Sequence, residues 1–107
     1  MEMQFLDKEN NMKQTGIKPE VIEEIGNIAR KCNVEKVILF GSRARGDYSR
    51  ASDIDLAICG GDIDKFSVEV EETSTLLMYD FINLDAGVQE KLLESIRREG
   101  IIIYEKV

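Results

Sequence analysis

Histidine is absent from this chain of 107 residues. That removes imidazole as a general base, removes the Ser-His-Asp triad and removes every zinc site that needs an imidazole ligand. Cysteine is nearly as scarce. Cys32 and Cys59 are the only two; they stand at no metal-like spacing, each in apolar sequence, and read as small buried hydrophobes of a reduced, cytoplasmic protein. No apolar run approaches the roughly 18 residues of a membrane span, and the N-terminus lacks the apolar stretch of a signal peptide. Positive charge is in deficit too: 14 Lys and Arg against 21 Asp and Glu leave a formal charge of −7. Such a balance makes a poor general binder of nucleic acid or of anionic membrane, since both depend on neutralising phosphates. Acid–base or metal chemistry here must fall to carboxylates.

What remains is ordinary globular stock, 43% hydrophobic and 33% charged, of a length that fits one domain. Residues 1–16 are polar and without sustained periodicity, and are expected to form a loose tail or an adapted arm. Pro19 opens a helix, because proline at the first helical position forfeits no internal hydrogen bond. Val21, Ile22, Ile25, Ile28, Ala29 and Cys32 recur at helical spacing along it. Val37 to Phe40 are apolar on both parities, which predicts a central strand covered on two faces. After a polar connection from Gly41 to Ser52, the run DIDLAIC alternates cleanly, with Ile54, Leu56 and Ile58 on one side and Asp53, Asp55, Ala57 and Cys59 on the other. A helix is expected from about Asp64 to Met78, a strand over Tyr79–Leu84, a helix over Val88–Glu99 stopped by Gly100, and a last short strand over 101–104. The order predicts an α/β or α+β layer: a small mixed sheet of three or four strands with helices packed on one face.

Asp53 and Asp55 carry the first chemical signal. Residues two apart in a strand share a face, with Cα atoms roughly 6.6 Å apart. Two carboxylates that close repel unless a cation sits between them, and Mg²⁺ is typically held by one or two carboxylates plus substrate phosphates. A plain exposed strand edge would also explain the pair, although aspartate is unfavourable in strands. Gly41-Ser42 is the second signal. A strand that ends there and turns into a helical segment presents bare N–H groups as an anion cradle. Arg43, Arg45 and Arg50 make the following loop locally basic within an acidic chain. The whole pattern, Gly-Ser, ten residues, Asp-x-Asp, arises by chance in so short a chain about once in a thousand, given average residue usage.

GSRARGDYSRASDIDLAI closely resembles the signature of the polymerase-β-like nucleotidyltransferases and, within them, the minimal nucleotidyltransferase group. The likeness runs from about Pro19 to Tyr104 and includes the closing REGIIIYE. It implies the fold of that superfamily, with residues 17–107 as the nucleotidyltransferase domain. It implies a third carboxylate on the strand after the intervening helix. Asp80 fits that place better than Asp85, which lies on the opposite parity and nearer a turn; a two-metal site also wants a shared ligand and a base for the incoming hydroxyl. The parity that aims Asp80 at the site puts Asn83 on the helix-covered side, so the strand is expected to end or bulge there.

By the same resemblance, Asp53, Asp55 and Asp80 would be catalytic and hold two Mg²⁺ ions. Gly41 and Ser42 would hold the phosphates of ATP, and Arg43 or Arg45 would add donors, although a solvated loop explains the arginines equally well. Little of the chain is left over to bind an acceptor, so that surface is expected from another chain or a second copy. The minimal group is commonly paired with an all-helical HEPN protein, which implies an antitoxin of a type VII toxin–antitoxin pair adding AMP to a tyrosine of its toxin, or neutralising it by binding. Transfer to a small hydroxyl compound and a catalytically silent binding subunit are the competing readings.

Overall fold

The computed structural model describes residues 4–5 and 15–107, and most of the expected N-terminal tail lies outside them. Helix α1, Pro19–Lys31, starts with Lys18 held extended before the proline, as the ring requires of its predecessor. Glu20 in its first turn and Arg30 and Lys31 in its last complement the helix dipole. Its stripe of Val21, Ile22, Ile25 and Ala29 is buried.

The strands are β1 (Gln4–Phe5), β2 (Lys36–Phe40), β3 (Ile54–Cys59), β4 (Tyr79–Asn83) and β5 (Ile101–Glu105). They form one mixed sheet in the order β1-β5-β2-β3-β4. β2 runs antiparallel to both β3 and β5, while β3 and β4 are parallel, as are β1 and β5. The expected count of three or four strands therefore holds for residues 36–105, and Gln4–Phe5 adds a short fifth at one edge. The parallel β3–β4 pair needs a crossover, supplied by helix α3 (Ile63–Val70) and the turns after it. A one-turn helix, α2 (Ser42–Arg45), follows β2 directly.

Helices cover both faces, which corrects the expectation of one. Val37, Leu39, Ile54, Leu56 and Ile58 pack with α1 and with Phe66 and Val70 of α3. The opposite parity, Ile38, Phe40, Ala57 and Ile102, packs with Ile96 and Leu92 of helix α4 (Glu90–Glu99). The reason is legible in β2, whose apolar residues face both ways and leave two surfaces to be removed from water.

Helix α3 ends at Val70, well short of the expected Met78. Glu71 and Glu72 would lie at a helix C-terminus, where the dipole opposes negative charge, and Thr73 turns its hydroxyl to the Val70 carbonyl and the Tyr79 hydroxyl instead. Short polar side chains that bond nearby backbone favour such turns over helix. Gly100 does end α4, but in an extended conformation that leads straight into β5. Among the described residues no helix is long and apolar enough to cross a membrane.

Candidate active site

β3 and β4 are in parallel register with Asp55 opposite Asp80 and Ala57 opposite Ile82. The two carboxylates therefore stand side by side on one face, the face that α4 covers further along, where Ala57 and Ile82 pack under it. Asp53 precedes β3 by one residue and follows the same alternation. Its negative charge, like that of Asp80, bears on Asp55. β4 ends at Asn83 without a bulge in its pairing, and the Asn83 side chain caps the turn that follows by accepting from the Asp85 N–H at 2.9 Å. Asp85 belongs to the other end of β3, where its carboxylate accepts the Gly60 N–H at 2.8 Å.

Asp55 is the electrostatic centre of this cluster. Burial pushes its carboxyl above the ordinary aspartate range, Asp80 and Asp53 push it further, Arg45 opposes them and Glu99 adds to the rise. Desolvation and like charges thus act together against the ionised form. A group held in this way lowers its free energy by taking a proton or by meeting a cation.

Gly41 joins β2 to α2 at φ 77° and ψ −159°, a region essentially restricted to glycine. A Cβ at this position would overlap the Asp55 carboxylate. The backbone shelf thus lies directly against the acid, a closeness that only glycine permits. Within α2 the Ala44 and Arg45 N–H groups donate to the Gly41 carbonyl at 3.1 and 3.0 Å, which leaves those of Ser42 and Arg43, at the start of the helix, without an acceptor inside it.

The two arginines part company. Arg43 is 2% exposed. Its guanidinium donates to the carbonyls of Ser52 at 3.0 Å, Thr15 at 2.8 Å and Arg50 at 3.4 Å, and lies 4.8 Å from the centre of the Tyr48 ring. The guanidinium expected to add a phosphate donor instead closes the 43–52 loop and ties down the segment before α1. Burial lowers its pKa, the Tyr48 and Asp53 charges opposing. Arg43→Met should destabilise the fold by about 2–4 kcal/mol, because buried carbonyls lose their donors; thermal unfolding checks this. Arg45 is by contrast exposed and pairs with Asp47 and Glu99.

Glu99 escapes sequence reasoning. It reads there as the last residue of an amphipathic helix, 58 positions from Gly41, and no periodicity marks it. In the structure its carboxylate accepts the Gly41 N–H at 3.1 Å and Arg45 Nη1 at 3.1 and 3.2 Å.

The acids fit a hard divalent cation by chemistry: oxygen donors only, paired and mutually repelling. They do not complete a cage by themselves, since among the described residues no three acidic or thiol groups are grouped as a metal set. Such a donor set suits Mg²⁺, which dehydrates reluctantly and takes the rest of its shell from water and substrate phosphates.

The polymerase beta nucleotidyltransferase family matches residues 23–107. A Methanocaldococcus jannaschii protein assigned, by name only, as a protein adenylyltransferase is 35% identical over 81 residues, which span 66% of this chain and 79% of that one. Two solved structures share the fold. A chain of a toxin–antitoxin complex with AMP-PNP superposes with a TM-score of 0.60 at 20% identity, over 79% of this chain and 73% of the other. A chain of the MntA–HpeT toxin–antitoxin complex, in a mutant with two Asp-to-Glu changes two positions apart, gives 0.59 at 18% identity over the same shares.

Proposed function

Because the chain belongs to the polymerase beta nucleotidyltransferase family, we propose that it transfers AMP from ATP to a hydroxyl of a protein partner, a tyrosine of a HEPN-type toxin whose antitoxin it is. The observation that carries the reading is the pairing of Asp55 with Asp80 across two strands, against a glycine whose backbone no other residue could bring so close. The protein-adenylyltransferase name of the archaeal relative and the toxin–antitoxin context of the structural neighbours support the choice of acceptor. The acidic charge of −7 suits a basic ribonuclease partner.

In this mechanism the Ser42 hydroxyl and the N–H groups of Ser42 and Arg43 bind the β- and γ-phosphates and fix the triphosphate in line. Asp53, Asp55 and Asp80 would hold Mg²⁺, whose charge would neutralise the phosphates and the leaving pyrophosphate. Asp80, on the edge strand, takes the proton of the incoming hydroxyl at its carboxylate. The hydroxyl oxygen then forms a bond to the α-phosphorus, the bond from that phosphorus to the bridging oxygen breaks, and pyrophosphate departs. Arg45 adds positive charge beside the phosphates.

The test is to incubate the purified protein with Mg²⁺, ATP labelled in the α-phosphate and the co-expressed HEPN protein. Label retained on the partner, with intact mass raised by one AMP, is the expected result. Pyrophosphate release without labelled protein would move the acceptor to a small hydroxyl compound. No turnover under any condition would leave a binding subunit and overturn the enzyme.

A further inference from the structure

We propose that Glu99 is the resident anion of the phosphate shelf, and that an incoming nucleoside triphosphate must displace it. The inference rests on the nucleotidyltransferase reading of the site and deepens it. Three observations meet here. The Glu99 carboxylate accepts the N–H of Gly41, the residue through which β2 turns into the shelf. The same carboxylate engages Arg45 through both oxygens; Arg45, whose Nε bonds Asp47, is a nearby cation whose Nη1 an anionic substrate would take over, the Arg43 guanidinium being committed to backbone carbonyls. Finally, the Glu99 side chain is only 12% exposed, so it is packed against the protein and not out in solvent.

A carboxylate that bonds one backbone N–H and one arginine makes the contacts a phosphate oxygen would make. It also leaves a fourth negative charge beside Asp53, Asp55 and Asp80, and its effect on Asp55 is repulsive. The single Gly41 N–H cannot serve a bound triphosphate and Glu99 at once, and the two anions would repel across Arg45. When the triphosphate enters, Arg45 passes from Glu99 to phosphate and the Gly41 N–H is released. Glu99 therefore sets how tightly nucleotide is held, while the reacting atoms are served by the aspartates. Its place at the end of α4, one residue before β5, links the shelf to the helix that covers this face of the sheet.

The test measures AMP-PNP binding by calorimetry in the presence of Mg²⁺, on wild type and on Glu99→Gln, with thermal unfolding of both. Glutamine can still accept the Gly41 N–H, so the fold should be kept. Glu99→Gln is expected to bind AMP-PNP about five- to tenfold more tightly, and in the transfer assay to lower the KM for ATP with little change in kcat. Arg45→Gln in the Glu99→Gln background should reverse the gain, since the freed guanidinium is what the phosphate acquires. Equal or weaker binding by a folded Glu99→Gln protein would overturn the displacement role and make Glu99 a brace for the shelf. If neither protein binds AMP-PNP, the nucleotide reading of the site fails and this inference with it.

Discussion

Asp55→Asn should abolish AMP transfer and at the same time raise the melting temperature. The loss is expected to be at least about 10³-fold in kcat, the scale on which preorganised electrostatic groups act. The gain in stability comes from the same cause. Asp55 is partly buried, faces Asp80 across the strand pair and carries a pKa raised by burial, then by Asp80 and Asp53. Removing its charge ends a like-charge contact between directly opposed strand residues, worth roughly 0.2–1 kcal/mol, or a few degrees in a domain of this size.

The pH dependence has a definite sign. A carboxyl whose folded pKa is raised favours the folded state when protonated, and that contribution is lost as pH rises through the folded value. The stability advantage of Asp55→Asn should therefore be full at neutral pH and should shrink as the pH falls through the raised Asp55 pKa, vanishing once the group is protonated in folded and unfolded chains alike. Thermal unfolding across that range checks it. A variant that loses activity and stability together would show that Asp55 is a structural residue.

Gly41→Ala should lose both. The backbone conformation there is nearly closed to residues with a Cβ, at a cost of about 1–3 kcal/mol, and the added methyl would meet the Asp55 carboxylate. Either the strand end or the acid must move. Misplacement of a catalytic group by about 1 Å can cost 100-fold in rate, so transfer should fall by at least that factor even where the protein stays folded. Urea unfolding and the labelled-ATP assay on the same preparation separate the two effects. Glycine is thus needed at this position for the approach of the acid as much as for the turn.

Much of this arrangement is visible in the primary structure, and for physical reasons. β2 is apolar on both parities, so its central place follows before any coordinates are seen. β3 alternates, which assigns Ile54, Leu56 and Ile58 to the core and Asp53 and Asp55 to the other face. Helix α1 has a proline start, an apolar stripe and basic residues in its last turn, and it runs almost as expected. Elements set by weaker local signals did not follow so closely. The expected helix through Met78 stops at Val70, because a Thr73 side chain bonded to the preceding carbonyl outweighs a marginal amphipathic pattern. The two apolar parities of β2 called for cover on both faces, but the apolar stripe of α4 does not say which surface it meets, and so the second face was not assigned a helix.

Sequence alone determined the chemistry on offer: without histidine, the work falls to carboxylates, and a Gly-Ser shelf lies at a fixed spacing from an Asp-x-Asp pair. It also determined the local periodicities, because side-chain direction in a strand or helix repeats over a few residues. Tertiary structure decided what those local rules cannot reach. The register of β3 against β4 sets Asp80 beside Asp55, and a slip of one residue would turn it to the other face. Closure of the 43–52 loop takes Arg43 out of solvent and into three backbone carbonyls. The docking of α4 brings Glu99 onto the Gly41 N–H. The β3–β4 register, the Arg43 bond to Thr15 and the Glu99 bond to Gly41 join residues far apart in the chain, so no spacing records them; they follow from the packing of whole elements.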